Sequence, residues 1–154
     1  MEYAERLSVP LRWWAQGAML LVSLFLVLAV VDALSGAAIG GIVLGAGVLL
    51  AGALVQFGSA RIEVVDGELR AGRAHIPLAL LGEATALDPE AARRAAGVEA
   101  DARAYLLLRP YLKRAVKVQI DDPADPTPYW LLATRHPQRL AHVLSSVSEP
   151  TGGQ

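Results

Sequence analysis

Two charge-free apolar runs near the N-terminus constrain this chain more than any other feature of it. Trp13–Val31 carries no charge, and Gln16 is its one strongly polar member. Ala37–Phe57 is equally free of charge, with Gln56 at its far end. Asp32-Ala33-Leu34-Ser35-Gly36 separates them. A bilayer core asks for about 20 apolar residues in a helix, and each run has that length. Backbone in lipid must satisfy its own hydrogen bonds, so each run is predicted to be a helix. The pair reads as a transmembrane hairpin with spans at about 13–31 and 37–57. A secretory signal is the competing reading of the first run. A signal's apolar region is only about 7–15 residues long, and here a second apolar run follows almost at once. The retained hairpin is the better reading.

Charge placement orients that hairpin. Arg6 and Arg12 precede the first span, Arg61, Arg70 and Arg73 follow the second, and Asp32 is the one charge between them. The positive-inside rule therefore puts both termini in the cytoplasm and Asp32 outside. Pro10 is expected to start the first helix, and Trp13 and Trp14 fall at the depth of an interfacial aromatic belt. The second run is glycine-rich. Gly36/Gly40 and Gly41/Gly45 have the spacing that lets helix backbones approach closely, either within the hairpin or against a second copy or partner. No ionisable residue lies mid-span, which argues against an ion pathway.

From residue 58 the chain reads as one small soluble domain to residue 148, followed by a flexible tail over 149–154; residues 1–57 form a polar lead-in and the hairpin. Arg61–Val65 and Glu68–Gly72 alternate around Asp66-Gly67, a strong hairpin signal. Pro77 ends or edges any strand near Ile76–Leu81, and Glu83–Leu87 is another short strand. Asp88-Pro89 and Gly97 bracket a short helix as cap, first turn and stop. Ala104–Leu108 and Ala115–Ile120 read as two strands of a hairpin around Arg109–Arg114. Tyr129–Ala133 is a further strand beyond the Asp121–Pro128 loop. Leu140, Val143, Leu144 and Val147 give the last helix one apolar stripe. The expected fold class is α+β: a two-helix transmembrane hairpin, then a small antiparallel, split-barrel domain similar to a pleckstrin-homology-like (PH-like) domain, closed by a C-terminal amphipathic helix.

Four phrases carry a resemblance. They are Glu5-Arg6-Leu7 with Pro10 and Trp13-Trp14; Gly67–Gly72; Ala102-Arg103-Ala104-Tyr105; and Asp125–Trp130 running into Thr134-Arg135-His136-Pro137. Together the chain resembles a family of small actinobacterial membrane proteins of unknown function, with two N-terminal spans and a cytoplasmic domain. The resemblance implies that architecture and no chemistry.

The chain offers little to an enzyme. It holds no cysteine, which excludes disulfides and thiolate metal sites, and its net charge of −1 supplies no basic field for nucleic acid. Nucleophile-elbow, phosphate-loop, dinucleotide and zinc-protease motifs are missing from the sequence. Asp121, Asp122 and Asp125 lack EF-hand spacing, and His136 and His142 are six apart and share no helix face. No catalytic residue, metal or cofactor is therefore expected.

The suggestive soluble stretch is Arg103–Lys117, where Arg103, Arg109, Lys113, Arg114 and Lys117 come without an acid and Tyr105 and Tyr111 are interleaved. Tyr129 and Trp130 fall on opposite strand faces, one for the core and one available to a contact. The expected role is a non-enzymatic scaffold or protein-binding module at the cytoplasmic face of the cell membrane. Its contact set is Arg109, Tyr111, Lys113, Arg114, Tyr129, Trp130 and Arg135. Rival readings are an anionic-lipid sensor using the same basic hairpin, and an accessory subunit of an envelope enzyme or transporter docking through Gly36, Gly40, Gly41 and Gly45. The expected partners are the lipid bilayer and a membrane or cytoplasmic protein, with a homo-oligomer through the second span as a further option.

Overall fold

The structure is a computed structural model, and it describes residues 3–31 and 33–148. Asp32 and the tail over 149–154 lie outside the described residues, so the expectations placed on them stand as read from the sequence. The protein is α+β, and it divides into two units. One is the stretch Ser8–Ser59; the other joins the extreme N-terminus to everything from Ala60 onward.

The first unit is two helices, α1 (Leu11–Ala29) and α2 (Gly36–Phe57). Pro10 is the residue just before α1, and the Trp13 amide donates to its carbonyl at 3.0 Å. Ser35 caps α2, its Oγ accepting from the Ala38 amide at 3.2 Å. Contact between the helices follows a three-and-four spacing. Gly17 and Ile39 and Leu54 are buried, while Trp13, Leu21, Leu24, Leu28, Val43, Gly47 and Leu50 are half-buried. Large side chains fill the spaces left by small ones. A Cβ on Gly17 would lie 2.7 Å from Leu50 Cδ2, and one on Gly47 would lie 3.4 Å from Leu21 Cδ1. The rest of both helices is apolar and bare, as at Met19 (70 % exposed) and Leu49 (77 %). A core helix of a soluble protein is mostly buried; here only 6 % and 11 % of the two apolar windows are. Both helices are long and apolar enough to cross a membrane.

The second unit holds two four-stranded sheets. The first has the order β1 (Tyr3–Arg6), β2 (Arg61–Val65), β3 (Glu68–Ala71), β4 (Ala74–Pro77), all antiparallel. Here the structure departs from the sequence reading, which took residues 1–12 as a lead-in to the hairpin. Tyr3–Arg6 pairs with Arg61–Val65 across the whole apolar unit, with Tyr3 opposite Val64 and Arg6 opposite Arg61. The Leu7 amide extends the ladder to the Ala60 carbonyl at 3.0 Å. The reason is visible in the pattern: Tyr3, Glu5 and Leu7 are buried and alternate with exposed Ala4 and Arg6, a strand period. The apolar pair is thus an insertion between two neighbouring strands of one sheet.

Tight turns shape the rest of that sheet. Asp66 (φ 53°) and Gly67 (φ 75°) form the two-residue turn that the sequence signals. A second two-residue turn, Gly72-Arg73, has positive φ at Gly72 (65°) and opens β4, with Pro77 ending this edge strand. A 3₁₀ turn, Leu78–Leu80, leads to the second sheet. Its order is β5 (Leu81–Leu87), β7 (Ala115–Ile120), β8 (Tyr129–Ala133), β6 (Tyr105–Leu107). The hairpin expected between 104–108 and 115–120 does not form: β8 lies between the two strands, and β6 runs parallel to β8. Every residue of β8 is buried, as a central strand covered on both faces requires. Trp130 and Leu132 enter the main core with Ile62, Val64, Leu69, Val116 and Leu140. Tyr129 and Leu131 face a smaller cluster under α3 (Pro89–Ala96). Asp88 caps α3 through the Ala91 amide at 2.7 Å. The last helix, α4 (Pro137–Ser148), buries Leu140, Ala141 and Leu144, with Val143 and Val147 packed at the margin of the core.

Candidate functional site

The most elaborate polar arrangement in the protein centres on a carboxylate that the sequence reading did not single out. Glu5 faces inward from β1 and is 9 % exposed. A buried charge is expensive unless donors surround it, and here they do. Glu5 Oε2 accepts from the Tyr3 hydroxyl at 2.6 Å and from the Thr134 hydroxyl, while Oε1 accepts from the Arg135 amide at 2.9 Å. Thr134 Oγ1 in turn accepts from the His136 amide at 3.0 Å. The Arg135 guanidinium is 4.0 Å from Glu5 and donates to the Arg6 carbonyl at 3.0 Å. Tyr111 donates to the Leu7 carbonyl at 2.7 Å, one residue beyond the strand.

Two phenols record this environment. Burial, and then the bond to Glu5, pushes the Tyr3 phenol up to about 12. Burial also raises the Tyr111 phenol, against the pull of the Arg109 and Arg135 charges beside it. Chemically the arrangement is a latch. From the β8–α4 corner, the Thr134 hydroxyl and the Arg135 amide and guanidinium converge on the strand that precedes α1. Every buried polar side-chain atom among the described residues has a partner.

The residues expected to form a contact surface are scattered. Tyr111 is buried at the latch. Arg109 is half-buried and donates to the Leu108 carbonyl at 2.9 Å. Arg135 is in the latch itself. Tyr129 and Trp130 are both buried, at 7 % and 5 % exposure. The Tyr129 hydroxyl accepts from the Asp101 amide at 2.9 Å, and Lys117 Nζ lies 4.4 Å above its ring. Trp130 packs on Tyr105 with ring centroids 5.0 Å apart. Arg103 is paired with Asp101 at 3.3 Å. Of the basic stretch, Arg103, Lys113 and Arg114 are exposed, Arg103 within its ion pair.

Other candidates resolve into local structure. Asp122 and Asp125 accept from the amides of Ala124 and Thr127, at 2.9 and 2.8 Å, as turn residues do. Hydrogen bonding from the Thr127 side chain, and then from its amide, holds the Asp125 carboxyl below its ordinary value. His75, His136 and His142 are exposed, and among the described residues no three metal-ligating side chains converge. In α2, a Cβ at Gly36, Gly40, Gly41 or Gly45 would meet nothing within 4 Å. The α1–α2 contact uses Gly17 and Gly47 instead.

The latch joins two of the phrases by which the chain resembled a known family, Glu5-Arg6-Leu7 and Thr134–Pro137. Residues 2–144 match the family described as Protein of unknown function (DUF3093). The chain belongs to the DUF3093 family. The match runs from β1 through the apolar pair into α4, so both units are covered by it. No curated protein and no solved structure matches this chain. Sequence reasoning missed Glu5 in this DUF3093 chain because two of its donors, Thr134 and Arg135, lie 129 and 130 positions away. The available signal was the short alternation Tyr3-Ala4-Glu5-Arg6-Leu7.

Proposed function

We propose that this protein is a non-enzymatic integral membrane protein of the cell membrane, a two-span hairpin carrying a cytoplasmic β domain that serves as a scaffold for a protein partner. One observation carries the reading: the two apolar helices form an insertion whose ends close on adjacent strands of a single sheet, at Leu7 and Ala60. A sheet cannot be formed across a bilayer, so both ends of the insertion belong on one side. Arginines before α1 and after α2, with none between the helices, support the cytoplasm as that side. Two sheets and a terminal helix packed on them support a PH-like description, from which the parallel β6–β8 pair departs. The partner-facing surface is the exposed pair Lys113 and Arg114 with half-buried Arg109 and Arg135, which suits an acidic protein face.

The open face of α2 favours a second reading, an accessory subunit docking within the membrane. Gly36, Gly40, Gly41 and Gly45 are exposed and unused by α1. Fractionation tests the main reading. The protein stays in the membrane pellet through alkaline carbonate and is released by detergent, and reporters fused at either terminus are active in the cytoplasm. Release by carbonate, or termini on opposite sides, overturns it. Intermolecular crosslinks from cysteines at positions 41 and 45 distinguish the second.

A further inference from the structure

The outward face of the first sheet is graded in charge, and the gradient follows the points where the chain leaves for α1 and returns from α2. Across the sheet at that end, Arg6 of β1 stands directly opposite Arg61 of β2, and the Gly72-Arg73 turn comes next, its Gly72 amide bonded to the Arg61 carbonyl at 2.9 Å. Arg6, Arg61 and Arg73 are all exposed. The next rank across the sheet is Ala4, Glu63, Arg70 and His75. The far rank is Val65, Glu68 and Pro77, beyond which the turn carries Asp66. Glu63 lies 3.8 Å from Arg61 and Glu68 3.2 Å from Arg70. The face is therefore purely basic at one end, mixed in the middle and acidic at the other. A shallow groove on the same hairpin is lined by Glu68 as well as by Arg70, Arg73 and His75.

Like charges directly opposite on an antiparallel pair destabilise it. Arg6 and Arg61 are such a pair, and Glu63 offsets Arg61 alone, at 3.8 Å. They are also the charges tied most closely to the apolar helices: Arg6 is five residues before Leu11 and Arg61 four after Phe57. Five residues reach at most about 18 Å, so these side chains are held within reach of any bilayer that α1 and α2 enter.

We propose that Arg6, Arg61 and Arg73 form a contact surface for anionic phospholipid headgroups, with Arg70 and His75 at its margin. The surface rests on the membrane reading above. It differs from the basic stretch 103–117, where Arg103 pairs with Asp101 and Lys117 covers the Tyr129 ring. Phosphodiester oxygens offer guanidinium groups two-point hydrogen bonds. The same headgroups repel Glu68 and Asp66 at the other end, so the basic end is the one that makes the contact.

The test uses the full chain in lipid nanodiscs, with a fluorophore on His75→Cys, since the native chain holds no cysteine. Headgroup-attached quencher lipids report contact. Quenching is expected to rise when phosphatidylglycerol replaces part of the phosphatidylcholine, and to fall again with salt. Arg6→Gln, Arg61→Gln and Arg73→Gln are each expected to lower the contact equilibrium roughly fivefold, whereas Arg93→Gln on α3 leaves it unchanged. Quenching in the labelled parent chain that ignores lipid charge and salt overturns the proposal, as does loss of the effect in Arg93→Gln. Failure of the chain to co-migrate with nanodiscs overturns the membrane reading first, and is seen before any quenching is measured.

Discussion

Replacing Glu5 by alanine tests the latch. The substitution removes the acceptor for the Tyr3 hydroxyl, the Thr134 hydroxyl and the Arg135 amide at once. The two hydroxyls are 3.4 Å apart and can bond each other, which leaves the Arg135 amide as the orphan. An unsatisfied buried donor costs about 1–3 kcal/mol, and the charge-assisted bonds to the carboxylate contribute a similar amount. The long Arg135–Glu5 ion pair, with a half-exposed guanidinium, adds little. Glu5→Ala should therefore destabilise the β unit by about 3 kcal/mol, and Glu5→Gln by about 1 kcal/mol, because the amide keeps one acceptor and the hydroxyls can turn to meet its NH₂. Thr134→Val should be intermediate, with strong coupling to Glu5→Ala in a double-mutant cycle. The assay is guanidinium unfolding of the detergent-solubilised full chain. With Trp13 and Trp14 replaced by Phe, buried Trp130 is the sole tryptophan reporter. Hydrogen exchange should show the Tyr3–Arg6 amides deprotected ahead of β2 and β3. A loss below about 0.5 kcal/mol, or Glu5→Gln as damaging as Glu5→Ala, would refute the reasoning.

Three further outcomes follow from the same structure. The Tyr3 phenol is raised from 10 to about 12 in the folded protein, so its contribution is complete below pH 10 and lost as pH climbs toward 12; on the order of 2 kcal/mol disappears in that window, and Tyr3→Phe flattens the alkaline limb of a stability–pH profile. Gly72→Ala strains a positive φ and presses on Leu107 and the Tyr105 hydroxyl, each 3.4 Å from the new Cβ, whereas Gly67→Ala strains φ in open space; thermal unfolding should show the first losing more than the second, which loses about 1 kcal/mol. Gly17→Leu collides with Leu50, while Gly41→Leu meets nothing within the pair, so an α1–α2 cysteine crosslink weakens in the first variant and persists in the second.

Much of this fold could be read locally. The Asp66-Gly67 turn, the Asp88 cap and the two apolar helices depend on residues within one turn or one run of each other, and period and turn chemistry reveal them. What stayed hidden was non-local. Pairing Tyr3–Arg6 with Arg61–Val65 requires closing the chain over two entire helices, and no window of the sequence contains both partners. The parallel β6–β8 pair is hidden for the same reason, since β7 intervenes in the chain. Tyr129 and Trp130 were expected to divide between core and surface; a strand covered on both faces buries both, and α3 supplies the second cover. Glu5 illustrates the limit most clearly. A glutamate beside an arginine reads as a solvated pair, and only the arrival of Thr134 and Arg135 makes it an interior group.

The most direct measurement of the central claim is labelling of single cysteines by a membrane-impermeant maleimide in intact cells, made clean by the absence of native cysteine. Ser35→Cys, between the helices, is predicted to label from outside, and Lys113→Cys only after the membrane is opened. Equal labelling of the two positions, or a full-length chain that stays in solution without detergent, would contradict an apolar pair inserted through lipid between neighbouring strands.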